Sequence, residues 1–284
     1  MISFIMGQGG SFAVSGGLVR DGSGKSDVFV LMVVECSMSL LALILIYLFF
    51  KDKCTNTVSF LMLMEKGDIK FDMKQLMKNK SFIMLFLASI ISCGNANFFA
   101  VLIAYITGYY GVGAEKTSVL GTVSTTAGLI SCFVLSYVAS LIGGYKKICV
   151  ITLALATPFY FLFFIVQEID IFAVSLIVSA CLGSSIMPIY SLSLELACEI
   201  AFPVREVITS GLINCFSQIF GLFPIFLAYL FENDVIMIVS LLLALQVLST
   251  ILMLLVTEKR RRFLMETMSF ARQMSTNDLN YRLK

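Results

Sequence analysis

Long apolar runs recur along most of this chain, and they constrain its fold more than any other feature. Runs of eighteen or more residues are long enough for a helix rising about 1.5 Å per residue to cross a hydrocarbon core about 30 Å thick. Because 59% of the 284 residues are apolar and only 13% are charged, such runs could not all be buried in a water-soluble domain. The sequence therefore predicts an all-α polytopic membrane protein.

The runs divide the chain into about eight spans, or seven if the glycine-rich first run is discounted. The predicted spans are Ile2–Val19, Val28–Phe50, Ser81–Tyr105, Thr117–Ile142, Ile148–Val166, Ile171–Ala197, Val207–Phe231 and Val235–Val256. Between the second and third spans lies a hydrophilic loop, 51–80. This loop is predicted to contain an amphipathic helix in which Ile69, Met73 and Leu76 share one face.

Basic residues predict the orientation of these spans. When the spans alternate across the membrane, all but three of the 20 Lys and Arg residues fall on one side. The exceptions are Arg20, Lys25 and Lys116. Because basic loops are retained in the cytoplasm, the loop 51–80 and the polar tail 258–284 are predicted to be cytoplasmic. Which membrane holds the protein is left open.

Several classes of chemistry are disfavoured by composition. The chain has no histidine, which removes the commonest general base and metal ligand. Its eight cysteines are scattered without a CxxC pair, so neither a disulfide framework nor a zinc site is expected. A net charge of +2 is too small to indicate a nucleic-acid partner. We therefore expect no enzyme activity and no cofactor.

One polar block interrupts the apolar chain, and it runs from Glu195 to Gly221. In a helix after Pro203, four small or amide residues recur at steps of three and four and so share one face: Gly211, Asn214, Gln218 and Gly221. Gln218 lies about 18 Å along the axis from Glu206, near the middle of the membrane. This stripe either packs on a neighbouring helix through small residues or lines a water-accessible cavity.

Charged residues mark the predicted cytoplasmic end of the same block. Glu195 and Glu199 are one helical turn apart, and Arg205 and Glu206 follow the turn at Pro203. These side chains are expected either to form a solvated helix end or to act as a gate. The two carboxylates lack the neighbours that a glycosidase, protease or metal site requires.

Three further polar or aromatic positions lie inside spans. The sequence Cys93-Gly94-Asn95-Ala96-Asn97 predicts an interruption of the third span, because Gly and Asn are poor helix formers. Phe99 follows this interruption and is expected either in the core or facing a cavity, where an aromatic ring can hold an organic cation. Gln8 lies in the first span, where it is expected either to pack against another helix or to line a cavity. Glu35 is expected to pair with Arg20 or Lys25 near a span end.

The polar block resembles the feline leukemia virus subgroup C receptor-related family of the major facilitator superfamily. The resemblance rests on the pattern E-L-x-x-E-I-x-F-P-x-x-E-x-x-x-x-G-L-I-N-x-x-x-Q-I-F-G from Glu195 to Gly221. Phe49-Phe50-Lys51-Asp52-Lys53 before the central loop is similar too, as is N-A-N-F-F-A from Asn95, where the family tends to show T-G-x-F-Y-A. The likeness covers the family's fifth helix through its C-terminus.

This resemblance implies a partial major-facilitator fold and transport of a small organic solute. Residues 1–50 would be the last two helices of an N-terminal bundle, and 81–257 a six-helix C-terminal bundle. Choline and ethanolamine are substrates of characterised relatives, and haem export has been proposed in the family. By resemblance, Gln8 and Gln218 would contact the solute, with Asn214 beside them, and Glu206 would serve a cytoplasmic gate.

Two departures from the family pattern matter. Phe99 stands where the family has Tyr, which retains a ring and loses a hydroxyl. The family's first four helices are missing, so an incomplete sequence is expected, or a half-transporter that needs a second chain. The lipid bilayer and a small-molecule solute are the predicted partners. The alternatives are a non-transporting membrane receptor or scaffold, or an inactive fragment of a transporter.

Overall fold

The computed structural model describes residues 2–18, 25–50, 69–169, 171–230 and 234–257, and every regular element within them is an α-helix. In chain order these are α1 (Ile2–Leu18), α2 (Lys25–Phe49), α3 (Ile69–Lys78), α4 (Lys80–Tyr109), α5 (Ala114–Ile142), α6 (Tyr145–Ile169), α7 (Phe172–Ala201), α8 (Glu206–Leu230) and α9 (Val235–Leu255). The predicted all-α class is confirmed. The tail 258–284 and most of the central loop lie outside the described residues.

Seven of the described helices are long and apolar enough to cross a membrane, namely α2 and α4 to α9. The chain is therefore an integral membrane protein with several spans. The eighth predicted span, α1, is a helix of 17 residues, or about 25 Å. The count within the described residues thus agrees with the lower of the two predicted numbers.

The helices α4 to α9 enclose two apolar clusters that follow each other along the bundle axis. One cluster includes Phe98, Phe99 and Phe163, and the other includes Phe82, Leu196 and Ile213. Small residues let the helices approach between them. A methyl group on Gly183 of α7 would lie 2.0 Å from the Ser124 carbonyl oxygen of α5, so only glycine fits there.

Side-chain contacts bring one set of helix ends together. Asn79 caps α4 by accepting from the Phe82 amide at 3.4 Å, and its Nδ2 donates to the Ile200 carbonyl near the end of α7 at 3.2 Å. Lys146 donates to the Leu254 carbonyl at the end of α9 at 2.8 Å. These ends share one side of the bundle, as the alternation of spans requires.

The amphipathic helix α3 packs at this same end, with a different face from the predicted one. Leu76 is buried and Met73 is half-buried, as expected, but Ile69 is 61% exposed. Ile69 is the first residue of α3, where no neighbouring helix covers it. Asp72 takes its place on the buried side because it pairs with a cation of the bundle.

Helices α1 and α2 lie beside this bundle in different ways. α1 packs closely on α5, because Gly16 faces Ser118 and Gly121 faces the Phe12 ring with no room for a side chain. α2 contacts mainly α1, and none of its most apolar window is buried. No disulfide joins the seven cysteines within the described residues.

Candidate functional site

The polar stripe of α8 lies beside the face by which this helix packs. The buried residues recur at steps of three and four: Thr209, Ile213, Ser217, Gly221, Pro224 and Ala228. Asn214 comes directly after the buried Ile213, and Gln218 directly after the buried Ser217. Both amides are exposed, as is Gly211. The three predicted stripe residues therefore share an open side of the helix, whereas Gly221 belongs to the packed face.

Gly221 is buried because α4 approaches α8 there. A methyl group on Gly221 would lie 3.4 Å from both the Asn97 Cβ and the Gly94 carbonyl oxygen. A methyl group on Gly94 would lie 2.6 Å from the Phe220 ring. The two glycines thus allow close contact between helices, and of the two alternatives predicted for the stripe, Gly221 shows helix packing.

The predicted interruption at Cys93 to Asn97 is also wrong, because α4 is continuous from Lys80 to Tyr109. The glycine that suggested unwinding serves the contact with α8. Asn95 lies on another side of α4, and its Nδ2 donates to the Gln246 Oε1 of α9 at 3.2 Å. Polar residues therefore join α4 to its neighbours without breaking the helix.

Tyr190 is a member of the site that sequence reasoning missed. Its hydroxyl, on α7, donates to the Asn214 Oδ1 of α8. The two residues are half-buried and exposed, respectively, so the bond lies at the edge of the open side. Nothing in the local sequence relates positions 24 residues apart on different helices. A tyrosine two residues after the Pro188 of its helix was the only available signal.

Gln218 is an exposed amide without a hydrogen-bond partner among the described residues. Its side chain makes no hydrogen bond to the residues that the structure describes, and it lies at the middle residue of α8. A primary amide surrounded by hydrocarbon loses the hydrogen bonds that it makes in water, at a cost of several kcal/mol. The open side of α8 therefore requires a polar neighbour at this depth.

Phe99 does not reach this open side. It is fully buried in the apolar cluster with Phe98 and Phe163, so its ring has no surface for a solute in this conformation. Of the two placements expected for it, the structure shows the core. Its role as a solute contact stays a prediction for another conformation.

Gln8 lines a separate open cavity of about 600 Å³ beside α1. The other lining residues are Gly7, Ser11, Phe12, Ser15, Glu35 of α2 and Ala100 of α4. Ala100 lies one turn of α4 beyond Asn97, which touches α8. The side of α4 that carries Asn97 and Ala100 therefore lies between the cavity at Gln8 and the helix that carries Gln218.

The charged residues predicted as a gate gather at the end of the bundle where α3 packs. Arg205 donates from Nε to the Asp72 Oδ2 at 2.7 Å, with side-chain exposures of 18% and 12%. Glu206 begins α8 next to this pair, and Glu195 and Glu199 lie in the last two turns of α7. Sequence reasoning named Arg205 and missed Asp72, because the amphipathic pattern of α3 does not indicate which part of the bundle the helix packs on.

A second cavity of about 210 Å³ opens at this end, between α3, α4 and the turn after α7. Its lining includes Lys78, Asn79 and Phe202, and the Phe202–Pro203 peptide bond is cis. Ser81 and Thr257 are hydrogen-bonded across its edge. The residues predicted as a gate and the residues predicted on α8 as solute contacts thus occupy two levels of the bundle, one at its end and one at mid-depth.

No cluster that could hold a metal ion forms within the described parts of the chain. There, no three Cys, Asp or Glu side chains come close enough to hold an ion. The arrangement can bind through amide and hydroxyl groups at mid-depth and through charge at one end.

Comparisons with known proteins do not identify the chain. No protein-family model matches it, and no curated protein matches it. The resemblance of Glu195 to Gly221 to a transporter family therefore stays a prediction.

Proposed function

We propose that this chain is part of a secondary transporter of the major facilitator type that carries a small organic solute. The observation that carries this proposal is the open, mid-depth side of α8, where Asn214 and Gln218 are exposed. Amides at this depth of an apolar helix are stable only beside water, a solute or another polar helix. An aqueous solute pathway along α8 satisfies both side chains.

The hydrogen bond at Asn214 indicates which groups of its amide remain available to a solute. Because Tyr190 donates to Oδ1, the Nδ2 group of Asn214 is left pointing away from that bond, with two N–H donors to offer. Gln218 lies one turn further along the same side and has both donors and an acceptor. A solute with a hydroxyl or carbonyl oxygen fits this pair, which agrees with an alcohol such as choline or ethanolamine.

The packing of α1 supports a two-bundle arrangement. α1 is the helix expected from the N-terminal bundle, and it contacts α5 through Gly9, Gly16 and Gly121. Close contact through glycines lets the backbones of two membrane helices approach each other, as small residues do at interfaces between spans. In alternating access the solute is bound between such bundles and is exposed to one side at a time.

Uptake by the full chain reconstituted in liposomes tests this function, with radiolabelled choline and ethanolamine as probes. We expect saturable uptake of at least one probe. Gln218→Ala should lower its rate about tenfold or more, because one hydrogen bond to a charged or polar solute is worth roughly 1.5–3 kcal/mol. Ile219→Ala, which changes an exposed apolar neighbour, is the matched control and should leave uptake unchanged.

Uptake no greater than that of empty liposomes would overturn the transporter assignment for this chain. The alternative is a non-transporting receptor or scaffold. The exposed helix α2 favours it, because a span without buried residues has its whole surface available to another membrane helix. Unchanged uptake in Gln218→Ala would instead remove the α8 stripe from the pathway.

A further inference from the structure

Glu35 occupies an unusual position for a carboxylate. It lies ten residues into α2, or about 15 Å from the start of the helix, with fourteen more residues to its end. The sequence had suggested a position near a span end. The helix begins at Lys25, so Glu35 is close to the middle of the membrane, where an ionised carboxylate needs a partner.

The described residues supply no cationic partner for Glu35. Arg20, one of the two partners expected from the sequence, lies outside the described residues, and so does the side chain of the other, Lys25. Lys116 at the start of α5 is held over the Phe172 ring, 5.8 Å from its centroid, and the Asp72–Arg205 ion pair lies at the end of the bundle. The charge of Glu35 is therefore not balanced by this part of the protein.

Glu35 faces the cavity of about 600 Å³ that Gln8 also lines. Ser11 and Ser15 add hydroxyl groups, and none of the described lining residues is basic. The Oε1 of Gln8 is buried and has no donor. A half-turn of this amide about its last torsion, which has two broad minima, would present that oxygen to the cavity. Among the lining residues that the structure describes, Glu35 is thus the only charged one, and Gln8, Ser11 and Ser15 carry the other hydrogen-bonding side chains.

We propose that Glu35 is the counter-charge for a small organic cation bound in this cavity, with Gln8 as its hydrogen-bonding neighbour. The proposal rests on the proposed transport function and adds to it the residue that recognises charge. It differs from the expectation that the Phe99 ring holds the cation, since that ring is buried. A carboxylate at this depth attracts a cation more strongly than it would in water, because the surrounding dielectric constant is lower.

Equilibrium binding to the full chain in lipid nanodiscs tests this proposal without requiring transport. The probes are radiolabelled choline and ethanolamine, and the competitor is dimethylbutanol, the uncharged carbon isostere of choline. We expect wild type to bind both cations and to bind the neutral isostere weakly. Glu35→Gln should weaken binding of both cations about 10- to 100-fold and leave the isostere unchanged.

Two variants separate charge recognition from a structural role. Glu35→Asp keeps the charge and should restore most of the affinity. Asp27→Asn removes a carboxylate eight residues earlier on α2, outside the cavity, and should bind like wild type. Wild-type affinity in Glu35→Gln, equal weakening of the cations and the isostere, or no saturable binding of either cation to the wild-type chain would each overturn the proposal.

The outcomes also distinguish this proposal from the function on which it rests. If Gln218→Ala weakens binding and Glu35→Gln does not, the solute site on α8 stands and the role of Glu35 falls. If Glu35→Gln alone weakens binding, the role of Glu35 stands and the α8 stripe is not part of the site.

Discussion

At the scale of single residues, the hydrogen bond between Tyr190 and Asn214 determines which donors and acceptors are left available on the open side of α8. It joins two helices at the edge of the polar stripe. It also fixes which end of the Asn214 amide is occupied by protein. Without it, the amide can rotate and the stripe loses its defined order of donors and acceptors.

Tyr190→Phe should therefore destabilise the protein by about 1 kcal/mol, the usual size of one hydrogen bond between membrane helices. The ring and its packing are retained, so the effect isolates the hydroxyl group. Reversible unfolding in mixed micelles measures the change. Tyr229→Phe is the control, since Tyr229 on α8 is 73% exposed and should have no effect. Equal stability of the two variants would show that the bond contributes nothing.

Some single residues could be placed from the sequence and others could not. Spacing alone placed Asn214 and Gln218 on one side of a helix, because helical periodicity is a local property. Tyr190 and Asp72 could not be found in this way, since each acts on a residue of another helix. Phe99 shows the converse, because its neighbours in sequence do not reveal that its ring is fully buried in a cluster with residues of other helices.

At the scale of elements, the contact between α5 and α7 has the least tolerance for change. Gly183 meets the Ser124 backbone, and Gly128 lies opposite, where a methyl group would be 2.9 Å from the Gly183 carbonyl oxygen. Backbone atoms cannot move aside as a flexible side chain can. The two helices would have to separate.

Gly183→Ala should accordingly destabilise the protein by about 1–3 kcal/mol, as overpacking of a close contact does. Gly108→Ala on α4 is the matched control. Nothing lies within 4 Å of its added methyl group, and alanine is the better helix former. Unfolding midpoints of the purified variants measure both changes. A Gly183→Ala protein as stable as wild type would contradict the contact.

The docking of α3 depends on the ion pair between Asp72 and Arg205. Asp72→Asn should release α3 and increase amide hydrogen exchange across residues 69–78 about tenfold, because loss of a charge-assisted bond costs roughly 1.5–3 kcal/mol. Lys74→Gln, on the exposed side of α3, controls for a change of charge. Unaltered exchange in Asp72→Asn would mean that Leu76 and its apolar contacts hold the helix alone.

Element boundaries could be predicted from sequence to within a few residues, because apolar runs end where charged or turn residues begin. The error at Cys93 to Asn97 has a physical cause. Gly and Asn lower helix propensity, but in a membrane the backbone hydrogen bonds of a helix cannot be exchanged for bonds to water. The helix is therefore kept, and its weak residues are used for contact with α8 and α9.

At the scale of the whole molecule, the structure places the α5–α6 turn and the α7–α8 turn at the same end as the start of α4. The distribution of Lys and Arg predicts that this end is cytoplasmic. Glycosylation acceptors inserted after Gly143 should therefore stay unmodified in microsomes, whereas an acceptor inserted after Gly111 should be glycosylated. Both sites lie in turns at glycines with positive φ, at 60° and 69°. The reverse pattern would invert the predicted topology.

The four contacts at the Asn79 end have a mechanical consequence. Asn79 with Ile200, Ser81 with Thr257, Lys146 with Leu254 and Arg205 with Asp72 link six helices within one or two turns of their ends. A bundle joined at its end has its highest stiffness there, and the amplitude of helix motion grows with distance along the axis. The stripe on α8 begins about one and a half turns from this end, where small helix rotations already become displacements large enough to change the width of the proposed solute path.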